Sequence, residues 1–311
     1  LPVLGLVNHL GLALDRLIFT RYQDAAVDAP VFIMGHPRSG TTLLHRTLAK
    51  YPHAVCFRAP ELFVPSLTWQ RLVRRHFEKL DGMLISTEAG HGTNWDDVEE
   101  EELLFMHLLD TQMATFILPL GFSYGSLDHI GSDAHFSRSL RSVGFLKGCL
   151  QRQIFRTGKQ CVIARMNYSI LRLRALRSLF PEARIVFVYR KPVDAIASHL
   201  SLHKRVIENR WGNALIPEDA WRRYLERRYA WSCAIYRRMA QEMTAAQNED
   251  SMVVSYTDLI EDPQDTFERV MKFAALMPGK TIDDEIKRVA AAQKQYRPKH
   301  CNLPLSSFGL S

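Results

Sequence analysis

Apolar residues along this chain fall into short unbroken runs, separated by longer stretches with helical spacing. Residues 31–35, 161–164, 184–189 and 252–255 are β-branched or apolar through most of their length, the pattern of strands buried on both faces. Between them, apolar positions recur every three or four residues, which predicts helices over 41–50, 170–180, 192–207, 217–247 and 263–276. Pro192, Pro217 and Pro263 each stand where a first helical turn tolerates proline. Strands that each lead into a helix predict an α/β fold, a doubly wound parallel sheet flanked by helices. Residues 83–142 break this rhythm, are rich in Gly, aromatic and His residues, and read as a helical insertion. At the N-terminus, 1–25 reads as an amphipathic helix in which Leu10, Leu14, Leu17 and Ile18 share one stripe. His9, Asp15 and Arg16 interrupt it, which argues against a bilayer span and for packing on the domain, with peripheral membrane contact as the alternative.

The first strand runs into Gly35-His36-Pro37-Arg38-Ser39-Gly40-Thr41-Thr42, a tight turn opening onto a helix. Such a turn aims backbone N–H groups and a helix N-terminus at an anion. Thr41 occupies the position where an ATP or GTP loop needs lysine, and Arg38 is the cation inside the turn. An anion site that is not an NTPase site follows. The strand over 184–189 ends on Arg190, where a P-loop NTPase would often place a magnesium-holding Asp, and Ser198 follows about two turns into the next helix. An Arg fork and a hydroxyl suit a second, magnesium-free phosphate.

These residues carry a family resemblance. GHPRSGTTLL at 35–44 resembles the 5′-phosphosulfate loop of sulfotransferases, and YRKPVDAIAS at 189–198 resembles their 3′-phosphate segment. SYTDLIEDP at 255–263 and the tail Phe308, Gly309, Leu310 are similar to a broad branch that includes bacterial small-molecule and lipid-alcohol sulfotransferases. The resemblance implies a P-loop-like fold with 1–311 as a single domain, the 83–142 insertion binding the acceptor. It implies a donor, 3′-phosphoadenosine 5′-phosphosulfate (PAPS), leaving 3′,5′-ADP, with no metal. Pro37, Arg38, Ser39, Gly40, Thr41 and Thr42 would hold the 5′-phosphosulfate, and Arg190 and Ser198 the 3′-phosphate. Arg38 would neutralise charge growing on the bridging oxygen. The basic and aromatic cluster Tyr296, Arg297, Lys299 and His300 would close over the nucleotide.

For the acceptor's proton the chain offers several bases. WDDVEEEELLFMH at 95–107 resembles the acidic element before a helix in this branch, and Glu100 or Glu102, raised in pKa by burial, would serve. The plain alternative is a set of carboxylates complementing a helix dipole. Glu61 is a rival carboxylate, although related protein-tyrosine sulfotransferases carry theirs two residues earlier, where this chain has Ala59. His36 lies in the loop itself, and His45 one turn beyond it reads as packing. His199 and His203 have zinc-binding i, i+4 spacing but no third ligand, so they too read as packing. Arg165 stands where many relatives carry the Lys of a KxP element, and would either face the transferring group with altered geometry or pair with a surface carboxylate. Arg222/Arg223, Arg227/Arg228 and Arg237/Arg238 read as a solvated stripe opposite an apolar face of Trp221, Leu225, Trp231, Ile235 and Met239.

Composition narrows partners only slightly. With 311 residues, 47% of them hydrophobic, the chain can bury a large core. A formal charge of +7 favours anionic partners without a nucleic-acid motif to direct it. Five dispersed cysteines form no metal or disulfide pattern, which leans toward a reduced cytoplasm, with a secretory lumen left open because the N-terminus reads as trimmed. The expected acceptor is a small or lipid-like alcohol. Carbohydrate or protein-tyrosine acceptors, and a non-catalytic 3′,5′-ADP sensor, stand as alternatives.

Overall fold

The computed structural model describes residues 2–77, 97–212, 216–245, 249–295 and 302–310. Its centre is a five-stranded sheet in the order β2-β3-β1-β4-β5. The strands are β1 (Val31–Gly35), β2 (Ala54–Val55), β3 (Cys161–Arg165), β4 (Arg184–Tyr189) and β5 (Ser251–Ser255). All four pairings are parallel, with Val31 facing Ile163 on one side and Arg184 on the other.

Alternation along each strand divides the core. Phe32, Met34, Val162, Ala164, Ile185 and Phe187 point into one cluster, while Val31, Ile33, Ile163, Val186 and Val188 point into the other. Burial on both faces explains why these strands read as continuous apolar runs. In chain order the helices are α1 (Pro2–Ile18), α2 (Thr41–Leu48), α3 (Ala59–Phe63), α4 (Leu67–Phe77), α5 (Ala114–Ile117), α6 (Phe136–Thr157) and α7 (Leu173–Leu179). After β4 come α8 (Pro192–Trp211), α9 (Glu218–Ala245), α10 (Tyr256–Glu261), α11 (Pro263–Phe273) and α12 (Lys280–Gln295). Residues of α6, α7 and α9 complete the first cluster and residues of α2, α11 and α12 the second, so the sheet is wound on both faces. No helix of the described residues is long and apolar enough to cross a membrane.

Three expectations meet the structure differently. From residue 97 onward the insertion is helical but in short pieces, 3-10 segments over Glu101–Leu108, Pro119–Phe122 and Asp133–His135 and the one-turn α5, before the long α6 begins. Residues 83–96 and the cluster Tyr296, Arg297, Lys299 and His300 lie outside the described residues. Helix α1 packs on the domain as expected, but through the face opposite to its leucines. Its buried positions are Asn8, Gly11 and Asp15. The Asp15 carboxylate accepts from the backbone N–H groups of Leu67 (2.9 Å) and Thr68 (2.8 Å), capping α4 from outside, and pairs with Arg152 at 2.8 Å. Gly11 is required at the crossing, because a Cβ there would lie 2.0 Å from the Trp69 ring. Polar anchoring and a close approach outweigh the apolar stripe, which is left facing outward.

Candidate functional site

The site forms where β1 and β4, side by side at the centre of the sheet, end. After Gly35 the chain turns through Arg38 at φ 74 and Gly40 at φ 94, two left-handed positions on either side of Ser39. Gly40 avoids the steric cost of that region and leaves room for Tyr256, whose ring a Cβ would meet at 2.9 Å. Helix α2 starts at Thr41, so its first N–H groups lack intrahelical acceptors and face the turn.

The two anion segments meet here. Arg38 Nε donates to Ser198 Oγ at 3.2 Å, and Arg190 Nη1 donates to the Arg38 carbonyl at 2.8 Å. Arg190 is held in turn: its guanidinium lies 4.4 Å above the Tyr256 ring, and its carbonyl accepts from the Tyr236 hydroxyl at 2.9 Å. Pro37, Ser39, Thr41 and Ser198 are buried or nearly so around this pair. Nothing in the local sequence marked Tyr236, and Tyr256 was marked only as part of the SYTDLIEDP segment and without a role, because their contribution depends on α9 and α10 folding back over the loop.

His36 departs from the expectation of a proton acceptor. It is fully buried, with Nδ1 2.7 Å from the Pro37 carbonyl, Nε2 2.8 Å from Ser232 Oγ, and its ring stacked on Tyr236. Burial lowers its pKa to about 4. A neutral ring with both nitrogens engaged pins the loop to α9. His199 and His203 lie behind it, their rings tilted with centroids 4.0 Å apart, packed among Trp231, Tyr224 and Phe116.

On the other side of β1, Arg165 ends β3 and reaches the loop. Its guanidinium donates to Thr42 Oγ1 and lies 3.4 Å from Glu100 Oε2. Arg165 is 6% exposed, so the reading as a partner of a surface carboxylate gives way to a buried bridge between the loop and the acidic segment. The three glutamates then separate by role. Glu101 is wholly buried and accepts from the backbone N–H groups of Phe57 (3.1 Å) and Arg165 (2.7 Å), a structural tie. Glu102 turns one oxygen inward to the Ser169 hydroxyl at 2.6 Å, leaves the other without a hydrogen-bond partner, and is raised to about 7 by burial. Glu100 carries one oxygen beside Arg165 and another without a protein partner, and burial raises its pKa although Arg165 opposes the rise. Glu61 is placed elsewhere: it accepts from Arg58 N–H at the start of α3 and from Gln153 and Arg156 of α6. Those bonds make it a helix cap, and they correct its candidacy as a base.

His45, Cys56 and Glu101 bring one ligand atom each within 4.8 Å of one another. Those atoms are already engaged: Cys56 Sγ donates to the Ile163 carbonyl at 3.2 Å and Glu101 serves two amides. Burial pushes the Cys56 thiol up, against the thiolate that a metal needs.

A cleft of about 440 Å³ opens between α9 and residues 112–128, and its floor includes Arg228 and Trp231. Arg228 corrects the solvated-stripe reading: it is 3% exposed, lies 5.1 Å over the Trp231 ring and donates to Gln112. Arg228 Nη1 and Trp231 Nε1 have no protein partner. Trp231 stacks on Tyr168 at 5.0 Å, and the charge on Glu100 acts on Tyr168, so the cleft and the acidic segment approach one another.

Comparison with known proteins agrees with this geometry. The model of the sulfotransferase family matches residues 30–277. The omega-hydroxy-beta-dihydromenaquinone-9 sulfotransferase of Mycobacterium bovis is 23% identical over 99% of this chain and 77% of its own length. Among solved structures, sulfotransferase STF9 from Mycobacterium avium superposes with a TM-score of 0.75 at 16% identity, covering 99% of this chain and 79% of that one. Sulfotransferase STF1 from Mycobacterium tuberculosis H37Rv gives 0.68 at 20% identity, covering 99% and 80%.

Proposed function

The chain belongs to the sulfotransferase family, and on that premise we propose that it moves the sulfonate of PAPS to a hydroxyl of a small or lipid-like acceptor. The observation that carries the donor half is the junction of Arg38, Arg190 and Ser198, two cationic segments bonded to each other at adjacent strand ends. A nucleotide with anionic groups at both its 3′ and 5′ positions fits that junction. Arg190 and Ser198 take the 3′-phosphate. The backbone from Pro37 to Thr42, the Thr41 and Thr42 hydroxyls and Arg38 take the 5′-phosphosulfate.

In the transfer, the acceptor oxygen attacks sulfur while the bond from sulfur to the bridging oxygen breaks. The electron pair leaves on the 5′-phosphate of 3′,5′-ADP, where Arg38 and the N-terminus of α2 stabilise it. The acceptor's proton passes to Glu100, whose unpartnered oxygen is free to receive it. Arg165 acts on both ends of the event, because it touches Thr42 and Glu100 together.

The acceptor enters along the cleft between α9 and residues 112–128. Its walls include Tyr124, Leu127, Tyr224 and Trp231, with Arg228 at the floor, a lining suited to an amphiphilic alcohol. The relative named as an omega-hydroxy-beta-dihydromenaquinone-9 sulfotransferase supports a lipid-like acceptor. Two measurements test the reading. A PAPS-dependent mass-shift screen over alcohols, phenols, sterols and hydroxylated isoprenoids is expected to yield a sulfonated product from an amphiphilic alcohol. Calorimetry is expected to show 3′,5′-ADP binding that Arg190→Ala weakens by about tenfold to a hundredfold, the scale of lost charged hydrogen bonds. Unchanged binding in that variant overturns the donor site.

A further inference from the structure

The exposed face of α1 is organised. Leu6, Leu10, Ala13 and Leu17 follow i, i+4, i+7 and i+11 and therefore share one side of the helix, with Leu6 73%, Leu10 56% and Leu17 77% exposed. A soluble helix ordinarily turns such a stripe inward. Here the inward side is taken by Asn8, Gly11 and Asp15, and five hydrogen bonds to Asp15 fix the helix in that rotation. The outward stripe is thus held in place by the fold.

On α1 and α4 the exposed, described charges are basic. Arg16 lines the edge of the stripe and is exposed. Arg71 is exposed on α4, the helix that α1 packs against. The sequences of α1 and α4 contain a single acidic residue, Asp15, which is buried and paired with Arg152. Beside α1 lies a pocket of about 480 Å³ whose lining includes Arg16, Lys147 and Arg152 and no carboxylate.

We propose that this face docks on an anionic lipid bilayer, with the leucine stripe entering the acyl boundary and the pocket at Arg16 and Lys147 receiving a headgroup phosphate. An apolar arc edged by cations matches the two layers of a bilayer surface, apolar below and anionic above. A second copy of the chain would bring like charges together across the stripe, which disfavours self-association. The docking is independent of sulfonate transfer and can be read without donor or acceptor.

The test is co-sedimentation with vesicles, using phosphatidylglycerol mixed with phosphatidylcholine against phosphatidylcholine alone. Wild type is expected to pellet with the anionic vesicles, less so as salt is raised, and to stay largely in solution with the neutral ones. Leu10→Ser/Leu17→Ser is expected to lower vesicle affinity by about tenfold or more. Arg16→Glu is expected to lower it on anionic vesicles only. All three positions are exposed, so thermal unfolding midpoints close to wild type are expected and establish that the variants fold. No pelleting of the wild type, or equal pelleting of the folded leucine variant, overturns the proposal. It is also overturned if sedimentation velocity shows a wild-type dimer that the leucine variant converts to monomer while vesicle binding is absent.

Discussion

At the scale of single residues, the acidic segment shows how burial sorts chemically identical side chains. Glu101 is engaged with two amides; Glu100 and Glu102 each keep one oxygen without a hydrogen-bond partner, but Glu102 turns its other oxygen inward to Ser169 while Glu100 lies beside the cation that contacts the donor loop. Glu100→Gln is therefore expected to lower kcat by about 10²–10⁴-fold, the usual contribution of a positioned base, while the Kd for 3′,5′-ADP stays near the wild-type value. Because burial raises the Glu100 pKa, wild-type kcat is expected to climb with pH across a limb above the ordinary carboxylate range, as the base loses its proton. Retained turnover in this variant, with loss in Glu102→Gln instead, would reassign the base. The sequence narrowed the choice to neighbours in one run but could not divide them, since what separates them is contact with Arg165 and Ser169, more than sixty residues away.

At the scale of elements, local chemistry was legible and long-range packing was not. The loop over 35–42 and the end of β4 announced themselves because anion binding needs particular residues at fixed short spacing. Strand β2 is two residues long, too short for any period, and exists through its pairing with Cys161 and Val162. Helix α6 escaped the pattern because Gly144, Gly148 and scattered basic residues dilute its stripe, yet Val143, Leu146, Leu150 and Ile154 are buried against the sheet. For α1 the hydrophobic stripe pointed to the wrong face, since Asp15 decides the rotation. Asp15→Ala removes the outside cap of α4 and leaves Arg152 buried without its carboxylate, a change expected to cost about 3–5 kcal/mol. Urea unfolding measures the loss, and faster amide exchange confined to α1 and α4 is expected to accompany it. A stability within 1 kcal/mol of wild type, roughly the value of an exposed ion pair, would show that the anchor is dispensable.

At the scale of the whole molecule, the chain keeps several ionisable groups out of water around its central sheet, and stability must then depend on pH. Glu102 is the sharpest case. Burial lifts its carboxyl from the ordinary value of 4.5 to about 7, with Arg172 and the Ser169 hydrogen bond opposing the rise. Between those values the folded chain holds a proton that the unfolded chain has released. Its contribution is therefore fully favourable below about 4.5 and is lost as pH rises through about 7. Above that window the folded state carries a charge whose desolvation the neighbours only partly offset. Glutamine keeps the shape and cannot titrate, so the stability of Glu102→Gln relative to wild type is expected to rise from pH 5 to pH 8 by up to about 3 kcal/mol. Groups that titrate in the same range, His36 among them, are common to both proteins and cancel in the difference. Urea unfolding of the pair at intervals across that range provides the measurement. A difference that stays constant with pH would mean that the Glu102 carboxyl ionises at its ordinary value in the fold, with Arg172 and Ser169 compensating its burial in full.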